Sequence, residues 1–295
     1  MPSSPSSSAQ AARELLGGEL RGLRESRNIS GRAFASLAGW KSASQVSMIE
    51  NGRRTISARH VRLWCSICGV SERRTEELLQ EQAAVARMWV PYEQLNRGGL
   101  EAAQKSIRQQ YEELALARSY QPKVFPGMVQ TEAYARAALT GVIVEQAVET
   151  DDPDGEVANA VAERMDRQRL LSRPDARWFF LLEEPVLWYR PYARELHREQ
   201  LRYLLEVRRR PNVFLGIIPV DAGRRAVHPE EPFDITDGHL VTVELVSGYL
   251  SVTQPAEVAL YVATWNRLWS LAETGEAATR RVRAALARLD GQDGV

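Results

Sequence analysis

The chain has 295 residues, enough for about two domains with a substantial core, and its 38 basic and 38 acidic residues cancel to a formal charge of zero. No run approaches the roughly 20 apolar residues of a membrane span, and the opening MPSSPSSSAQ lacks the basic-then-apolar layout of a signal peptide. A soluble cytoplasmic protein is therefore expected, and bulk charge points to no partner.

Residues 1–14 read as a disordered tail, and 15–80 as a mainly α domain of five helices. Charge is unevenly placed. Between Arg13 and Arg62 stand ten bases (Arg13, Arg21, Arg24, Arg27, Arg32, Lys41, Arg53, Arg54, Arg59, Arg62) against four acids (Glu14, Glu19, Glu25, Glu50). That leaves +6 on the head and −6 on the remainder, the asymmetry expected of a nucleic-acid-binding head.

Within the head, RNISGRAFASLAGWKSASQVSMIENGRR (27–54) reads as two short helices about a glycine-centred turn, a helix-turn-helix. Ser30 caps a helix from Gly31 to Ala38 with Phe34, Leu37 and Ala38 inward. Gly39 suits the left-handed stop, with Trp40 behind the turn. Ser42 caps the second helix, with Val46 and Ile49 inward. Asn51-Gly52 ends it and sets Arg53 and Arg54 where a phosphate backbone would run.

The candidate DNA contacts are Arg32, Ser42, Ser44, Gln45, Ser47, Met48, Asn51, Arg53 and Arg54. Two have open alternatives. Gln45 reads equally as a partner for adenine or as the return arm of a capping box with Ser42. Met48 reads as filler or as a contact to a thymine methyl.

V-S-x-I-E-x-G-R-R (Val46–Arg54) behind L-A-G closely resembles the Xre/Cro-type helix-turn-helix family. The resemblance implies that Ser42–Asn51 is the recognition helix. It also implies that Arg24 and Glu50 form a partly buried ion pair tying the first helix to it.

Cys65 and Cys68 form a lone C-x-x-C near His60, short of the four ligands a structural zinc takes. In the amphipathic run VRLWCSICGV they read as small core residues, and no metal or other cofactor is expected. Residues 81–119 read as a helical connector, with a break at Pro91 and a second helix from Leu100 that offers Ile107, Tyr111, Leu114 and Leu116 for packing.

Beyond it, 120–290 reads as an α+β domain, a small sheet packed by helices. Expected strands are Arg177–Leu182, Val213–Ile218, and a hairpin of His239–Val246 with Tyr249–Thr253. Helices are expected over Thr131–Leu139, Gly155–Ser172, Ala193–Arg209, Pro255–Thr274 and Glu276–Leu289. No nucleophile, metal or phosphate-loop spacing appears, so an enzyme is not expected. Glu183-Glu184 reads as one carboxylate facing a salt-bridge partner and one facing water, and Asp221–Pro232 as a solvated loop.

YQPKVFPGMVQTEAYARAAL (Tyr120–Leu139) resembles the Y-x-P…P-G-x-x-Q-T-x-x-Y-A-R signature of a C-terminal domain (DUF5753) in actinobacterial Xre-type regulators, the WhiJ-like, Scr1-type antitoxin-like group. ERMDRQRLL (Glu163–Leu171), FFLLEE (Phe179–Glu184), Gln200–Pro219 and PFDI (Pro232–Ile235) continue it. The chain departs from the pattern at Pro185–Pro191, where Trp188-Tyr189 stands in place of a small, glycine-containing segment and would reshape any pocket or partner surface nearby.

The resemblance implies an antitoxin-like homodimeric regulator on an inverted-repeat operator, with a small neighbouring-gene protein of DUF397 type as partner. The candidate effector or partner site is Trp178, Glu184, Trp188, Tyr189 and His228. One alternative is a small-molecule-responsive regulator with a pocket near Trp178, Trp188 and Tyr189. Another is a partner-sequestering protein with weak or no specific DNA binding.

Overall fold

The computed structural model describes residues 8–146, 148–225 and 227–291, and the chain divides into two compact units, Met1–Val90 and Pro91–Val295. No described helix is long and apolar enough to cross a membrane.

The first unit is five helices: α1 (Ser8–Ser26), α2 (Gly31–Leu37), α3 (Ala43–Glu50), α4 (Ala58–Ile67) and α5 (Glu72–Met88). Four serines start the last four of them. Ser30, Ser42, Ser57 and Ser71 each accept a hydrogen bond from a backbone N–H two or three residues on, which satisfies a donor the helix itself leaves free. The core closes around Leu20, Phe34, Val46, Ile49, Val61, Trp64 and Leu78, and the Trp64 indole N–H donates to the Leu20 carbonyl at 2.9 Å.

Two expectations change here, and one is met. Helix α1 begins at Ser8, so residues 8–14 of the expected tail are helical: Gln10, Ala11, Ala12 and Arg13 are good helix formers and Ala9 is buried. Residues 1–7 lie outside the described residues. Leu37 is 62 % exposed rather than inward, because the buried face of α2 runs through Phe34 and Ala35 to the partly buried Ala38 and leaves Leu37 on the flank. Cys65 and Cys68 are fully buried in this core, and burial pushes both thiols up.

The second unit is built on an eight-stranded mixed sheet whose first strand, β1 (Trp89–Pro91), ends at the unit's first residue. In chain order there follow α6 (Tyr92–Leu95), α7 (Gly99–Tyr111), β2 (Leu116–Gln121), α8 (Glu132–Glu145), α9 (Pro153–Gln168), β3 (Arg177–Glu183), α10 (Arg194–Val207) and β4 (Val213–Ile218). The chain continues with β5 (Phe233–Thr236), β6 (Leu240–Leu245), β7 (Gly248–Val252), α11 (Pro255–Trp269), β8 (Glu273–Thr274) and α12 (Gly275–Gly291).

The strand order is β1-β7-β6-β5-β2-β3-β4-β8; β2, β3 and β4 are parallel, and the pairs β2–β5, β5–β6, β6–β7 and β4–β8 are antiparallel. Alternation along β3 divides the interior. Trp178, Phe180 and Leu182 join the core built with α10 and α12, whereas Leu181 joins the one built with α11.

The expected helical connector over 81–119 has its break near Pro91 and its second helix, but its last residues are a strand. Helix α5 runs to Met88, α7 stops at Tyr111, and Leu116–Gln121 is an interior strand. Leu-Ala-Arg favours helix locally, but ladders to β3 on one side and β5 on the other, with Ala117, Ser119 and Tyr120 buried, override that preference. Likewise the helix expected over Pro255–Thr274 ends at Trp269, and Glu273–Thr274 pairs with Gly216–Ile217.

Candidate nucleic-acid interface

Helix α3 is held from one side and left open on the other. Val46, Ile49 and Glu50 are buried, while Ser44, Ser47 and Met48 face solvent and Gln45 is half-buried. At its start, Ser42 Oγ accepts from Ser44 N at 3.0 Å and meets Ser44 Oγ at 2.7 Å. No hydrogen bond to the Gln45 side chain occurs among the described residues, so the capping-box alternative for Gln45 does not form. At its end, Gly52 takes a left-handed φ of +64°, and the Met48 carbonyl accepts from both Arg53 N (2.8 Å) and Arg54 N (3.1 Å).

Helix α1 grips that end. Arg24 reaches Glu50 with Nε to Oε1 at 2.5 Å and Nη2 to Oε2 at 3.0 Å, a bidentate pair in which both residues are buried. The hydrogen bond it donates to Glu50 is the main reason that the Arg24 guanidinium holds its proton more tightly than usual. Arg21 donates to the Glu50 carbonyl (3.2 Å) and to Asn51 Oδ1 (2.6 Å), and Arg13 to the Gly52 carbonyl (3.3 Å). These cations sit where α3 carries its negative end. Asn51, a sequence-predicted DNA contact, is instead engaged internally, since its Nδ2 also donates to the Ser47 carbonyl at 2.7 Å.

The bases of the head thus fall into two groups. Arg13, Arg21, Arg24 and Arg27 bind carbonyls or carboxylates inside the unit, Arg27 at Cys68 O and Gly69 O. Arg32, Lys41, Arg53, Arg54, Arg59 and Arg62 are exposed, and their side chains make no hydrogen bond or ion pair among the described residues. Arg59 and Arg62, in the first half of α4, were not singled out from sequence. Their charge was counted there, but nothing local marked them as unpaired.

In the second unit the five candidate effector residues do not form one site. Trp178 begins β3 and is buried, while Glu184 follows its end, about 20 Å along an extended strand. Trp188 is half-buried under the Arg288 guanidinium at 5.1 Å, Tyr189 is exposed, and His228 is exposed in its loop.

The two adjacent glutamates also differ from expectation, because both are buried and both are paired. Glu183 accepts from the Tyr120 hydroxyl at 2.8 Å and from Arg224. Glu184 accepts from Arg281 Nη1 at 3.0 and 2.9 Å and from Val220 N at 2.9 Å. The strand ends at Glu183, so Glu184 turns inward in the following 3-10 turn rather than toward water. Through these contacts part of the Asp221–Pro232 loop is folded onto the strand ends rather than freely solvated.

Comparison with known proteins follows the same division. A helix-turn-helix domain model matches residues 15–78, and the model of a domain of unknown function (DUF5753) matches residues 110–284. No curated protein matches the chain. A solved structure described as TrmBL2, an archaeal chromatin protein with a novel mode of DNA binding, is similar over 74% of this chain at 15% identity, with a TM-score of 0.30. The chain spans 66% of that protein's length, just under two thirds, and a likeness this slight carries no argument. With the family model covering more than half of its length, the chain belongs to the DUF5753 family, and it carries a helix-turn-helix domain ahead of the family's own.

Proposed function

We propose that this chain is a sequence-specific DNA-binding transcriptional regulator, Xre-like in its head and antitoxin-like in its arrangement. The observation that supports it best is a short exposed helix face, Ser44, Ser47 and Met48, on a unit that carries six exposed bases without partners among the described residues. Four other bases are engaged in holding that helix and its neighbour, so the free ones stand out as phosphate contacts. A homodimer would set two recognition helices about 34–36 Å apart and read an inverted repeat with half-sites roughly 10 bp apart.

In this reading the C-terminal domain takes a small neighbouring-gene protein of DUF397 type as its partner, the protein works in the cytoplasm, and it performs no catalysis. A small-molecule-responsive regulator is the second reading. It is favoured by a buried arginine, Arg167 on α9, and its half-buried neighbour Arg164, gathered near Tyr111 and Trp178.

Titration of the purified protein against its own upstream DNA, with excess unrelated competitor and with or without the neighbouring small protein, tests the proposal. A competitor-resistant complex that shifts on adding the partner is the expected result. Tight partner binding without any specific complex would favour a sequestering protein instead.

A further inference from the structure

Arg164 and Arg167 lie one turn apart on α9, and neither meets a carboxylate among the described residues. Arg164 donates to two neutral amides, Gln104 Oε1 at 3.2 Å and Gln130 Oε1 at 2.7 Å. Arg167 is 4% exposed, and its Nε and Nη1 have no hydrogen-bond partner among the described residues. Its guanidinium lies 6.0 Å from the ring centre of Tyr111, and that ring packs edge-on against Trp178. The Trp178 indole N–H is likewise buried without a partner. Unpaired donors thus gather round one tyrosine, where a folded protein ordinarily satisfies every buried polar group.

The surroundings are polar on the sheet side too. Phe233, Ile235, Val241, Val243 and Val252 face the α11 core, so the alternate residues Asp234, Thr236, Thr242, Glu244 and Ser251 turn to the opposite face. Asp234 lies within electrostatic reach of Arg167, and burial raises its carboxyl to about 6. Burial and the like charge of Arg167 bring Arg164 down to about 10. The Gly127–Gln130 turn is braced here by Gln168 Nε2, which donates to Gly127 O (2.9 Å) and Gln130 O (2.7 Å). A Cβ at Gly127 would stand 3.0 Å from Arg167 Nη2. Two stretches noted in the sequence, Pro126–Thr131 and Glu163–Leu171, therefore converge on the arginine pair.

We propose that Arg164, Arg167 and Tyr111 form an oxyanion-binding site in the C-terminal domain, taking the carboxylate or phosphate of a small polar molecule whose hydroxyl or amino groups face Asp234. Guanidinium forks pair with such groups bidentately, and a low-dielectric setting strengthens the contact. The site stands whether or not the head binds DNA.

Thermal melts and calorimetry of the full chain in sodium phosphate or sodium succinate, against sodium chloride of matched ionic strength, provide the test. One oxyanion is expected to raise the melting temperature by several degrees and to show saturable heat. Phosphate acting alone identifies a phosphate ligand, and succinate alone a carboxylate. Arg164→Met and Arg167→Met should each abolish the rise, and Arg167→Met should melt in chloride no lower than the parent, because it removes a buried charge whose Nε and Nη1 have no partner among the described residues. Should Arg167→Met not fold, Arg167→Lys keeps the charge without the fork and should bind at least tenfold more weakly. No rise with either oxyanion in the parent, or a rise that survives these substitutions, overturns the proposal.

Discussion

Gly17 of α1 lies directly against the Ile49 carbonyl of α3, so close that a Cβ built on it would stand 2.5 Å from that oxygen and 2.7 Å from the Glu50 carbonyl. The first helix can therefore approach the recognition helix only because residue 17 has no side chain. Gly17→Ala must push the two helices apart, at a cost of about 1–3 kcal/mol for overpacking. Gly18, its neighbour, has nothing within 4 Å of the same position. Gly18→Ala should instead stabilise the helix by about 0.5–1 kcal/mol. Urea unfolding of both variants checks the pair, and equal effects of one sign would refute the close-approach reading.

The Arg24–Glu50 pair makes a sharper demand, because both groups are buried. Glu50→Gln or Arg24→Met leaves one of them without its charged partner, and each should cost about 3–5 kcal/mol. The double variant Arg24→Met/Glu50→Leu removes both charges and should recover much of that loss. A double variant as unstable as the summed singles would mean that the contact contributes through packing alone.

The head was legible because its signals are local. Ser30 and Ser42 cap, Gly39 and Gly52 stop, and the apolar spacing between them closes one core. The Arg24–Glu50 tie came from family resemblance, and the structure supplies its geometry. What escaped is what depends on distant neighbours. LARSYQ has helical composition and becomes a strand only because β3 and β5 are available on its two sides. Glu183 and Glu184 read from sequence as divided between partner and water, since their arginines, Arg224 and Arg281, lie 41 and 97 residues away. Arg164 and Arg167 look like the solvated face of an amphipathic helix, and nothing in ERMDRQ announces that Arg167 is covered.

Counterion release offers a reading of the free bases that stability cannot. If Arg53 and Arg54 contact phosphates, Arg53→Ala with Arg54→Ala should flatten the slope of log K against log salt by about 0.9 per lost contact, nearly uniformly across sequences. Ser44→Ala and Gln45→Ala should leave that slope intact and change base preference by about 1–3 kcal/mol at the positions they read. Fluorescence anisotropy at several salt concentrations, on specific and scrambled duplexes, separates the two classes. A slope unaffected by loss of both arginines would place the DNA elsewhere on the head.

Asp234 should leave a mark on the pH dependence of stability. Its carboxyl titrates near 6 in the folded protein, against an ordinary value of 3.8, chiefly because burial penalises the charged form. Between those values the folded state holds a proton that the unfolded state has already released. Stability from this group therefore falls as pH rises from about 4 to about 6 and is level above that. Asp234→Asn keeps a neutral polar group beside Ser119 and removes this dependence, so it should match the parent near pH 4 and exceed it at pH 7.5. After allowance for partial exposure the gain is on the order of 1–2 kcal/mol. Urea titrations of parent and variant at pH 4.5, 6 and 7.5 decide it, since other ionisable groups contribute alike to both. Parallel pH profiles would mean that Asp234 is solvated in the folded state, and that the sheet face opposite α11 is more open to water than its neighbours' burial implies.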